Sequence, residues 1–166
     1  MRVVLALAVP LLAALLQGSV APLVAIGGAR PNLIVLAAGS WSVAAGAREA
    51  VWWAFVGGIA ADLLSGGPLG AQALAALPAV AVIGLGDPAR PSGLVIGAAA
   101  VGLATFVTAL LYVAILALVG QPLPSLATLA GDAAGGALFT AALALVAYPL
   151  ARLARRAAHP LGAFGS

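Results

Sequence analysis

The sequence predicts an all-α integral membrane protein: a single six-transmembrane-helix bundle, N-in and C-in with respect to the cytoplasm. Three observations carry this expectation. Of the 166 residues, 64% are hydrophobic and only 7% are charged, whereas a soluble globular domain carries about 25% charged residues. The mean hydropathy is +1.22. The apolar residues also fall into six long runs bounded by charge, Pro or Gly, with arginines in alternate connections. Seven arginines, no lysines and four acids cannot cover the surface of a water-soluble fold of this length. An ordinary cytosolic enzyme, a disordered tail and a nucleic-acid binder are therefore excluded. The net charge of +3 and the pI near 10.7 do not reverse that reading. The arginines sit singly between apolar runs, with one cluster at the C-terminus, and form no basic face for nucleic acid.

A helix crossing the ~30 Å hydrocarbon layer needs about 20 apolar residues, within a working range of about 17–25. The first expected span, 3–26, ends at Gly27-Gly28-Ala29-Arg30-Pro31. The second, 32–47, is short and stops at Arg48-Glu49; the third, 50–64, is also short and stops at Ser65-Gly66-Gly67-Pro68. One helix from 32 to 64 would bury Arg48 and Glu49 at mid-membrane, which is costly. Two helices meeting at a surface turn fit better. The fourth span, 69–85, is closed by Gly86 and by Asp87-Pro88-Ala89-Arg90-Pro91, read as a rigid cytoplasmic turn. The fifth, 92–119, ends at Gly120-Gln121-Pro122-Leu123-Pro124, and the sixth, 125–150, precedes Arg152, Arg155 and Arg156. No repeat divides the chain, so residues 1–166 form one transmembrane domain.

Arginines in short loops favour the cytoplasmic side. With six spans and an inside N-terminus, that side carries Arg2, Arg48, Arg90, Arg152, Arg155 and Arg156, and the other side only Arg30. A five-span or seven-span count breaks this alternation. Arg2, the apolar stretch after it and Ser19-Val20-Ala21 also resemble a cleavable signal peptide. Apolar character resumes at 23–26, which favours a retained span.

Helices in lipid associate through close packing and polar contacts rather than through exclusion of water. Small residues four apart permit such approach: Ser42 and Gly46, Gly57 and Ala61, Gly93 and Gly97, Ala98 and Gly102, Gly131 and Gly135. Trp41, Trp52 and Trp53 flank the turn between the second and third spans, and Trp52 and Trp53 read as an interfacial anchor.

A carboxylate inside a membrane is a functional candidate by default. Asp62 and Asp132 qualify, and with Gln17 and Gln72 they fall in the outer half of the bundle. Asp62 also precedes a tight turn into a helix with Pro68 near its start. There it can meet unpaired N–H groups and the positive end of the helix dipole. Asp132 follows Gly131 in the first turns of the sixth span, where the same effect is weaker. A proton relay needs a counterpart in the inner half, which offers none. No His, Cys or Lys lies within a span, the lone His159 sits in the tail, and no metal pair, nucleophile elbow or phosphate loop is present. No cofactor is expected, and the chain does not read as an enzyme. The Arg152, Arg155 and Arg156 cluster suits an anionic leaflet, with membrane lipids as its partner.

Three segments together resemble the rod-shape-determining MreD family of bacterial inner-membrane proteins. They are Arg30-Pro31-Asn32-Leu33 opening a helix, Gly57-Gly58-Ile59-Ala60-Ala61-Asp62-Leu63, and Pro68-Leu69-Gly70-Ala71-Gln72-Ala73-Leu74. Chain length and span number are similar as well. The resemblance implies a multi-pass, non-enzymatic subunit of the elongasome in the bacterial cell membrane. Its implied partners are an MreC-like single-span protein, the RodA glycosyltransferase with its transpeptidase, and MreB, acting in lateral peptidoglycan synthesis and cell shape. The six-helix arrangement is also similar to the substrate-binding subunits of energy-coupling-factor transporters. That likeness supplies a rival expectation, a vitamin-type transporter subunit in which Gln17, Asp62, Gln72 and Asp132 line a ligand pocket.

Overall fold

The computed structural model describes residues 2–87 and 92–158. Among these residues the chain forms six helices: α1 (Arg2–Ser19), α2 (Leu33–Ala45), α3 (Ala47–Ser65), α4 (Ala71–Ile83), α5 (Leu94–Leu118) and α6 (Leu126–Ala158). The segments Leu94–Leu118 and Leu126–Ala157 are long and apolar enough to cross a membrane by length and composition. The helices α2 and α4 have 13 residues each, which is roughly 20 Å at 1.5 Å per residue. Pro10, Pro78 and Pro149 lie inside helices, as neighbouring helices permit in membrane proteins.

Several boundaries differ from the sequence expectation, each for a local reason. The first helix stops at Ser19 rather than continuing to 26. Residues after it turn around a buried Ala21, and Ile26 and Ala29 exchange backbone hydrogen bonds in an isolated bridge. The third helix is not short, because Arg48 and Glu49 lie inside its first turn instead of in a loop. The break is the single residue Gly46, with φ 97°, whose N–H donates to Ser42 O and closes α2. Glu49 suits that first turn, where a carboxylate meets the positive end of the helix dipole. It also accepts a hydrogen bond from Trp41 Nε1 at 3.1 Å. The fourth helix is shortened at both ends by Gly70 and Gly84. The sixth runs on through Arg152, Arg155 and Arg156, cations that suit a helix C-terminus. The cytoplasmic turn expected at Asp87-Pro88-Ala89-Arg90-Pro91 lies, beyond Asp87, outside the described residues, as does His159.

The helix α2 packs against each of the other five helices, so it is the centre of the bundle. Its sequence explains why: Ala38, Gly39, Ser40, Ser42 and Ala44 are all small and all buried. Around it, α3 pairs with α4 and α5 pairs with α6, while α1 lies on α3 and α4 lies on α5. Close approach is visible at particular glycines. A Cβ on Gly97 would collide with the Tyr148 ring, and one on Gly102 with Ala141, so α5 and α6 run antiparallel in tight contact. Tyr148 is fully buried there, and its hydroxyl donates to Ser92 O at 2.9 Å.

One end of the bundle gathers cations. Arg155 donates to Ala44 O at 2.6 Å, next to the α2–α3 break, and the Arg152 guanidinium lies 5.7 Å from the Tyr148 ring centre. Trp53 stacks on Trp41 at 5.0 Å, whereas Trp52 is exposed beside Phe55. The opposite end carries the polar amides.

Candidate functional site

Two backbone junctions build that polar end. The first joins α1 to α2. Pro31 cannot donate, and the first amides of α2 have no partner within their own helix. Gln17 on α1 supplies one: its Oε1 accepts from Leu33 N at 2.6 Å, and its Nε2 donates to Pro31 O at 3.2 Å. Asn32 caps α2 with its own side chain, Oδ1 accepting from Val35 N at 3.0 Å. The Asn32 N–H donates to Thr140 Oγ1 at 2.9 Å, and that hydroxyl donates in turn to Gly136 O. The connector before Asn32 rests on α6 at two glycines. A Cβ on Gly135 would strike Ala29, and one on Gly136 would lie 2.8 Å from Arg30 O.

The second junction joins α3 to α4. Asp62, in the last turn of α3, is 2% exposed. Its carboxylate accepts Gly70 N at 2.8 Å on Oδ2 and Gln72 N at 3.1 and 3.2 Å on its two oxygens. A buried carboxylate at a helix N-terminus satisfies amides that have no partner in α4 and complements the dipole. The approach needs two glycines. Gly58, one turn before Asp62, lies so close to α4 that a Cβ would sit 2.5 Å from Ala73 Cα. Gly70 stands at φ 90°, a left-handed conformation that other residues rarely adopt. The Gly-Asp and Leu-Gly segments of the sequence are thus the two halves of one helix-to-helix clamp.

Between these junctions lies a cavity of about 440 Å³. Gln17, Arg30, Asn32, Asp62, Ser65, Gln72 and Tyr112 supply its polar lining. Three of the four polar residues grouped by depth in the sequence, Gln17, Asp62 and Gln72, therefore converge in space. Asp132 does not: it is exposed on α6, beside the connector at Gly28. It is separated because α6 packs on α2 and α5, away from the α1–α3–α4 side. Of the glycines expected at helix crossings, Gly57 packs on Ile34 and Pro10, Gly97 on Tyr148 and Gly135 on Ala29. Among the described residues Gly93 and Gly131 meet nothing within 4 Å, so no helix crossing seen among those residues uses them. Arg30, Tyr112 and Thr140 were not read from the sequence as parts of this region. Tyr112 carries a usable signal, a phenol in a helix whose other polar side chains are only Thr105 and Thr108, since a tyrosine hydroxyl taken out of water ordinarily seeks a polar partner.

A model of the rod shape-determining protein MreD family matches residues 1–122. The chain belongs to the MreD family. The matched stretch runs from α1 through α5 and includes both halves of the Asp62 clamp and every residue lining the cavity. Only α6, with Thr140 and Tyr148, lies wholly beyond it. MreD proteins are membrane-associated components of rod-shape determination, and this chain shares that role. No curated protein and no solved structure matches the chain.

Proposed function

We propose that the chain is a non-enzymatic scaffold subunit of the rod-shape complex, threaded six times through the bacterial cytoplasmic membrane. In this reading it binds an MreC-like single-span partner and works with RodA, its transpeptidase and MreB in lateral peptidoglycan synthesis. The observation that carries the reading is the MreD family match across α1–α5. The chemistry of the buried polar groups is consistent with it. Gln17 and Asp62 spend their hydrogen-bonding capacity on helix-end amides and carbonyls, which is work of assembly rather than of reaction. The placement of cations agrees as well: Arg48, Arg152, Arg155 and Arg156 share the end of the bundle marked by the Arg155–Ala44 contact, as a cytoplasmic end requires.

Affinity purification of the tagged chain from solubilised membranes tests the reading. Recovery of an MreC-like protein, with loss of rod shape on deletion, is the expected result. Normal shape after deletion and no such partner in the eluate would overturn it. A second reading, the substrate-binding subunit of a vitamin-type transporter, draws on the cavity between α1, α3, α4 and α5. It requires a transport ATPase in the same eluate and uptake that depends on the chain.

A further inference from the structure

The cavity at the polar end holds hydrogen-bond donors that the protein itself does not use. Arg30 is exposed and lines it, and makes no hydrogen bond or ion pair with another described residue. The Gln72 side-chain amide and the Tyr112 hydroxyl line the same cavity and make no hydrogen bond with another described residue, although the phenol lies within electrostatic reach of Asp62. The acceptors of the clamp and of the α2 cap, by contrast, are occupied. Both oxygens of Asp62 hold α4 amides, Gln17 Oε1 holds Leu33 N, and Asn32 Oδ1 holds Val35 N. Asp62 is therefore the carboxylate of the clamp and not the counter-ion of Arg30. What remains is a guanidinium with five N–H donors, together with an amide and a phenol that line the same cavity.

That donor set fits an oxyanion, because guanidinium pairs with phosphate through two parallel hydrogen bonds. The walls say what the oxyanion is attached to. Ala14, Pro22 and Leu64 line the same cavity, and Leu15, Leu16, Leu63 and Leu64 are exposed on the adjoining ends of α1 and α3. A cavity of about 440 Å³ accommodates a small polar headgroup, not acyl chains, which would lie along the exposed leucines. We propose that this cavity is a binding site for the phosphate of an anionic phospholipid, held by Arg30 with Gln72 and Tyr112, its chains running down the apolar faces of α1 and α3. The proposal rests on the membrane placement argued above and is independent of which protein the chain binds.

Delipidated protein in detergent, titrated with phosphatidylglycerol or phosphatidylcholine and read by native mass spectrometry, tests it. Phosphatidylglycerol is expected to be retained in preference to phosphatidylcholine. Arg30→Gln is expected to weaken that retention about tenfold, the loss of one hydrogen-bonded charge pair. Tyr112→Phe weakens it less, and Arg48→Gln, an exposed arginine at the opposite end and outside the C-terminal arginine cluster, leaves it unchanged. Arg30→Lys restores part of the preference and keeps the test readable if Arg30→Gln is poorly folded. Competition with glycerol phosphate separates the sources. Displacement at millimolar concentration supports a phosphate-ester site filled by headgroup alone, and resistance supports a lipid whose chains contribute. Undiminished phosphatidylglycerol retention by both Arg30→Gln and Tyr112→Phe would overturn the proposal, as would equal loss in Arg48→Gln. An Arg30→Gln protein that loses the lipid yet still recovers its membrane partner keeps this site distinct from the scaffold role.

Discussion

Replacing Asp62 with alanine removes the acceptor for two amides at the start of α4 while leaving the rest of α3 in place. The Gly70 and Gln72 N–H groups, held at 2.8 and 3.1 Å, then have no protein partner at a position where the residue is 2% exposed. An unsatisfied buried amide costs about 1–3 kcal/mol, so two of them place the loss at about 2–6 kcal/mol. Asparagine keeps one carbonyl oxygen in the same place. It can hold one amide and gives up the charge that complements the α4 dipole, for a loss of about 1–2 kcal/mol. Reversible unfolding in mixed micelles, followed by the fluorescence of the stacked Trp41 and Trp53, measures both variants. The order wild type, Asp62→Asn, Asp62→Ala is the expected result. Asp62→Ala within about 0.5 kcal/mol of wild type would refute the clamp, since it falls below the cost of even one unpaired amide. Equal losses for the two variants would show that the charge acts without the hydrogen bonds.

Two further predictions come from the helix contacts. Gly58→Ala is expected to destabilise by about 1–3 kcal/mol, because the added methyl meets α4 backbone that cannot yield cheaply. Gly131→Ala, in open space on a helix, is expected to be neutral or to stabilise by up to about 1 kcal/mol; the reverse ranking in the same unfolding assay would refute the glycine assignments. Tyr148→Phe is expected to lose about 1 kcal/mol with its bond to Ser92 O, and Tyr148→Ala about 3–5 kcal/mol for the buried void. Similar losses for the two would show that the ring does not fill the α5–α6 interface.

Hydropathy and Gly or Pro punctuation located all six helices, because those signals are local. What they misplaced were ends, where tertiary contacts decide. Arg48 and Glu49 looked like a loop, yet one glycine with φ 97° suffices to break α2, and Glu49 is more useful at the start of α3. Depth along the spans brought Gln17, Asp62 and Gln72 to one level, and the α1–α3–α4 packing then brought them together. The same reasoning failed for Asp132, since depth carries no information about which side of the bundle a helix occupies. Asp62 was legible as a helix-terminal carboxylate because its partners are 8 and 10 residues away. The Asn32–Thr140 bond, spanning 108 residues, left no local trace, and neither did Arg30 entering the cavity. The cost of burying polar groups explains why so many of them sit at helix ends: in a helical bundle, that is where unsatisfied backbone groups concentrate.

The chain has no cysteine, so single-cysteine variants labelled in intact spheroplasts with a membrane-impermeant maleimide test the threading most directly. The account predicts labelling of Leu23→Cys, Leu69→Cys and Gln121→Cys at the polar end. It predicts protection of Arg48→Cys, Leu85→Cys and Arg156→Cys until the membrane is opened. Labelling of both sets alike, or of Arg156→Cys together with protection of Leu69→Cys, would contradict it.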